Sequence, residues 1–126
     1  MRKTLPPFIA AIIVLIAVLH YAAVALYLYW SYWWFDNVMH FLGGLAIGLF
    51  LYWFFYRSNI VSSRQAPWAL VIAGTIVVGV GWEIFEYVMH FTYTSKESYV
   101  FDTSLDLLMD LLGACAACLA ARLKLL

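Results

Sequence analysis

Residues 34–56 read WFDNVMHFLGGLAIGLFLYWFFY, a strongly apolar run whose Asp36, Asn37 and His40 are gathered at its start. At about 1.5 Å per residue, a helix of this length crosses a hydrocarbon core of about 30 Å. Three more runs of the same kind flank it, residues 5–30, 66–90 and 103–121. Hydrophobic residues make up 67% of the chain and charged residues only 11%, which leaves no room for a separate soluble domain. The expectation is an all-α membrane protein: one domain over residues 1–126, with four transmembrane helices in a compact antiparallel bundle.

A signal peptide is the competing reading of the first run, since it follows Arg2 and Lys3 and contains Ala23-Val24-Ala25, a small-residue sequence of the cleavable kind. The apolar stretch is too long for one, so an uncleaved first helix is expected. Arg2 and Lys3, Arg57 and Arg64, and Arg122 and Lys124 all fall on one side of a four-span drawing. By the positive-inside rule that side is cytoplasmic, which places both termini inside in a multi-pass protein of the cell's inner membrane. A net charge of zero thus hides an asymmetry, bases inside and acids outside. With seven basic residues spread over these inner ends and an opposite loop carrying Lys96, no nucleic-acid surface is expected.

Trp30, Tyr32, Trp33 and Trp34 form an aromatic belt at the outer turn, and Trp53, Tyr56 and Trp68 mark the inner surface. The inner loop, residues 57–65, leads to Pro67, a residue suited to the first turn of a helix. The outer loop, residues 91–101, is rich in aromatics and is a candidate lid over the acidic end. Cys115 and Cys118 have Cys-x-x-Cys spacing, but among alanines in a membrane helix they read as close-packing residues.

Spacing decides whether the acids can meet. Asp36 and His40 are four apart; Glu83, Glu86 and His90 follow a three-then-four spacing; Asp102, Asp106 and Asp110 repeat every four. Each set therefore projects from one face of its own helix. Gly43 and Gly44, Gly79, and Gly113 and Ala117 continue those faces with small residues that let the helices approach. The predicted site is a funnel. Asp36, His90 and Asp102 stand at its rim, His40, Glu86 and Asp106 about one turn deeper, and Glu83 and Asp110 about two turns, or roughly 10 Å, down.

Ionisable groups at membrane depth are expensive and persist where they bind something. No Arg or Lys within the spans balances these acids, so bound metal, retained protons or a cationic substrate must. Oxygens with one or two imidazoles suit Mn²⁺, Fe²⁺ or Zn²⁺, and an all-carboxylate subset suits Mg²⁺ or Ca²⁺. One or two ions are expected, because helical bundles build two-metal carboxylate sites from facing helices, and Glu83-x-x-Glu86 is the nearest equivalent here. His40, Glu83, Glu86, Asp106, Asp110, Asp36, His90 and Asp102 are the candidate ligands, with Glu86 and Asp106 the candidate catalytic carboxylates. Plainer roles compete at the rim: Asp102 as a helix cap before Thr103, Asp36 as a partner of the helix dipole, His90 as an interface residue. His20 stands alone on its helix, where a hydrogen bond to a neighbouring backbone is the expected role.

Asp36-Asn-Val-Met-His40-Phe41, Glu83-Ile-Phe-Glu86 and Asp106-Leu-Leu-Met-Asp110-Leu-Leu-Gly113 resemble the VanZ-like family and related small bacterial membrane proteins. The likeness spans the second to fourth helices. Glu86 takes the acidic of the two forms that the family pattern allows, and the chain departs from that pattern in having an acid at Asp110 and only Lys96 in the loop where it tends to carry Arg. The resemblance implies a cell-envelope setting; its name-giving members are linked to glycopeptide-antibiotic resistance.

Three functional classes follow. The first is a metal-dependent hydrolase or phosphotransferase acting on a phosphate- or glycan-bearing lipid at the outer leaflet. The second is a cation- or proton-coupled transporter, against which the inner segments 73–81 and 111–121 offer almost no polar groups. The third is a non-catalytic envelope protein with a structural metal site. Membrane lipid is the expected partner, and a homo-oligomer is compatible with any of the three.

Overall fold

The computed structural model describes residues 5–58, 67–89 and 98–123. Its elements are α1 (Leu5–Ala25), the short α2 (Leu28–Ser31), α3 (Phe35–Arg57), α4 (Pro67–Met89) and α5 (Tyr99–Arg122). Among the described residues there is no strand, and α1, α3, α4 and α5 are each long and apolar enough to cross a membrane. Large apolar side chains such as Val14, Val77, Val88 and Val100 point outward. That surface suits lipid, whereas water would drive it to aggregate.

Two boundaries differ from those expected. The first run breaks after Ala25, because Tyr27 adopts a left-handed backbone (φ 56°) that a helix cannot accommodate. Its carbonyl accepts the amides of Trp30 (3.2 Å) and Ser31 (3.0 Å), which starts α2 in a new direction. The last helix begins at Tyr99, one turn before Thr103. The Asp102 amide already bonds the Ser98 carbonyl at 2.9 Å, so Asp102 lies in the first turn and Ser98 holds the N-cap position.

α3 and α5 form the tightest contact. A Cβ built on Gly44 would strike the backbone of Asp110, and one on Gly113 would strike the Phe41 carbonyl and the Leu45 amide. One turn further on, a Cβ at Gly48 would come within 2.9 Å of both Ala114 and Ala117. This seam of small residues brings the two backbones together, as expected where lipid gives helices no hydrophobic reason to associate. α4 packs on both, and α1 leans on α3 through Leu5, Ile9 and Ile12, which meet Ala46 and Leu49. Cys118 is buried with Tyr52, Val71 and Ala121, in keeping with a packing role, and both cysteines are free thiols.

Candidate metal centre

The seam fixes the depth at which α3 and α5 present their polar faces, and α4 closes the third side. At the end where α3 and α5 begin and α4 ends, four side chains are almost wholly buried: His40 (7% exposed), Glu83 (5%), Asp106 (2%) and Asp110 (4%). His40 is the hub. Its Nε2 lies 3.7 Å from Glu83 Oε1, 4.0 Å from Asp106 Oδ2 and 4.0 Å from Asp36 Oδ1. Its Nδ1 faces the other way, 3.5 Å from Asp110 Oδ2. Three helices therefore converge on one imidazole.

Side chains outside the candidate ligand set hold the carboxylates of α4. Thr103 Oγ1 donates to Glu83 Oε2 at 2.8 Å, and the Tyr99 hydroxyl donates to the Glu83 carbonyl at 3.4 Å. Trp82 Nε1 donates to Glu86 Oε1 at 2.8 Å across one turn of α4. Trp82 stands four residues before Glu86 and shares its helix face, whereas Thr103 reaches Glu83 from another helix but shares the face of α5 that carries Asp106, three residues on. That is the signal by which both could have been found.

Two buried carboxylate oxygens lack any hydrogen-bond partner among the described residues, Glu83 Oε1 and Asp106 Oδ1. An unsatisfied buried carboxylate oxygen is costly, and both belong to residues ringed around His40 Nε2. The described basic side chains, Arg57 and Arg122, lie in the last turns of α3 and α5, far from this end. A divalent cation fits the donor set. Asp36, His40 and Asp106 offer ligand atoms within 4.8 Å of one another, and so do His40, Glu83 and Glu86.

The other sequence candidates are placed differently. Asp102 is half-buried one turn outside Asp106 and joins neither group of converging donors. Asp110 also joins neither, and it faces the opposite nitrogen of His40. His90 and most of the outer loop lie outside the described residues. His20 joins neither group of converging donors, and its Nδ1 meets the Tyr29 hydroxyl of α2 at 2.8 Å, a side chain where a backbone partner was expected. Deeper on α4, Thr75 is fully buried and its hydroxyl has no hydrogen-bond partner among the described residues, a polar group within a segment read as almost wholly apolar.

Beside the cluster, a groove of about 340 Å³ runs between α4 and α5. Val80, Ile84, Tyr87, Tyr99 and Leu107 make its walls apolar, and Glu83 and Thr103 also line it.

Four apolar spans around a buried His, Asp and Glu cluster able to hold a metal ion define a small polytopic membrane protein. The chain belongs to the family described as Predicted membrane protein (DUF2238), whose model matches residues 1–125. This match bears out the membrane class and covers the whole fold. It does not extend to the VanZ-like likeness, which rests on the motifs of α3, α4 and α5. No curated protein and no solved structure matches the chain.

Proposed function

We propose that this chain is a membrane-embedded metalloenzyme, a hydrolase or phosphotransferase that acts on a phosphate-bearing lipid or lipid-linked substrate from the extracytoplasmic side. The observation that carries the reading is the ring of Asp36, Glu83 and Asp106 around His40 Nε2, with one buried oxygen each of Glu83 and Asp106 lacking a donor among the described residues. Mixed imidazole and carboxylate donors suit Mn²⁺, Fe²⁺ or Zn²⁺, with Mg²⁺ the hard-ion alternative. A bound ion would polarise a phosphoryl oxygen and make water a nucleophile at neutral pH. The protein's own part falls to Glu86, half-buried and fixed by Trp82. It takes a proton from the attacking water and returns it to the leaving oxygen as the phosphorus–oxygen bond breaks.

A lipid substrate is supported by the groove between α4 and α5. Its apolar walls suit a hydrocarbon chain, and Glu83 stands where a head group would meet the cluster. The VanZ-like motifs point to the cell envelope, and the clustering of bases at the opposite ends supports termini inside and acids outside. Thr75 favours the rival reading of proton or cation passage, but one isolated hydroxyl below the cluster supplies no continuous relay.

The test is reconstitution of the full chain, right side out, in sealed vesicles containing phospholipid and polyprenyl phosphate. Metal-dependent product should form, stop when an impermeant chelator is added outside, and fall by about 10²–10⁴-fold in Glu86→Gln, the range for losing a general base. Ion flux without product, abolished by Asp110→Asn, would replace the enzyme reading with transport. A chelator effective only when trapped inside would reverse the orientation.

A further inference from the structure

The two nitrogens of His40 face different surroundings, and that difference assigns roles within the cluster. Nε2 is turned toward Asp36, Glu83 and Asp106, whereas Nδ1, among the described residues, is turned toward Asp110. An imidazole that binds a metal through one nitrogen usually donates its other N–H to a carboxylate or carbonyl, which fixes the tautomer and the ring plane. On the proposed metal reading, we infer that Asp110 is the positioning residue rather than a ligand: it accepts the Nδ1 hydrogen of His40 and aims Nε2 at an ion held with Asp36 and Asp106 or with Glu83 and Glu86.

The backbone around Asp110 is shaped for this task. A Cβ built on Gly79 would lie 2.5 Å from Asp110 Oδ2, the oxygen that faces His40, whereas one built on Gly43 would lie at an ordinary 3.9 Å from Oδ1. Gly79 therefore leaves the slot that the carboxylate occupies. Gly81, two residues on along α4, has open space where its Cβ would be. The backbone of Asp110 is pressed against Gly44, so its side chain cannot retreat along α5. The carboxylates that would join Nε2 in holding an ion lie on the edge of the ring away from Asp110.

The experiment is Co²⁺ titration of the purified full-length protein, followed by its visible absorption bands, which report the number and type of ligands. Asp110→Ala should weaken Co²⁺ about 10–100-fold, the usual effect of losing such a partner, with the spectrum at saturation unchanged. Asp110→Asn keeps an acceptor oxygen and should bind between Asp110→Ala and wild type. Gly79→Ala should weaken binding as Asp110→Ala does while Gly81→Ala matches wild type, which covers the case in which Asp110→Ala does not fold. Asp106→Ala, by contrast, should change the spectrum. A spectral change in Asp110→Ala like that of Asp106→Ala would make Asp110 a ligand and overturn the inference, as would unaltered affinity. Wild type that takes up no Co²⁺ would instead defeat the metal reading itself, before any variant is compared.

Discussion

Glu83 carries two oxygens in unlike situations: Oε2 accepts from Thr103, while Oε1 faces His40 Nε2 and has no donor among the described residues. The hydroxyl anchors the side chain so that its free oxygen points inward, a geometry that a cation rewards and an empty pocket does not. Thr103→Val keeps the shape and removes the donor, leaving a second buried oxygen unsatisfied. The loss should be about 1–3 kcal/mol, read as lower stability in reversible unfolding in bicelles, with Thr103→Ser near wild type. Equal stability of Val and Ser variants would mean that the hydroxyl does not hold Glu83. Asp106 has no comparable anchor among the hydrogen bonds described for it, and its burial rests on the closeness of α3 and α5.

That closeness belongs to the elements. At Gly113 an added Cβ meets backbone atoms of α3, which cannot swing aside as a flexible side chain could, whereas at Gly81 it meets nothing. Gly113→Ala should therefore destabilise by about 1–3 kcal/mol or more, the scale of overpacking, and Gly81→Ala should be neutral or gain up to about 1 kcal/mol from helix propensity. Thermal unfolding in one detergent decides between them; similar midpoints for the two would contradict the seam. Much of this was legible in the sequence. The four-residue spacings of Asp36 with His40 and of Asp106 with Asp110 put each pair on one face, and the run of small residues showed where α3 and α5 could touch. What was not legible depends on conformation. Hydropathy does not register a left-handed Tyr27, so the first run looked unbroken to Trp30, and Asp102 before Thr103 looked like a cap although the helix had begun at Tyr99. Which nitrogen of His40 faces which acid is a matter of rotamer and of the slot at Gly79, neither of which spacing contains.

At the scale of the whole molecule, charge is segregated along the bundle. Arg57 and Arg122 end two helices on one side, and the buried acids with their histidine occupy the other. Among the described residues no basic side chain reaches these acids, and His40 carries one charge at most. On the proposed reading, bound divalent metal would offset this imbalance and give the orphaned carboxylate oxygens of Glu83 and Asp106 a partner. The most direct measurement is elemental analysis of the full-length protein purified without chelator, wild type beside Glu83→Ala. Wild type should carry at least one divalent ion per chain, and Glu83→Ala markedly less. Equally negligible metal in both would contradict the metal centre and leave protons to balance the acids.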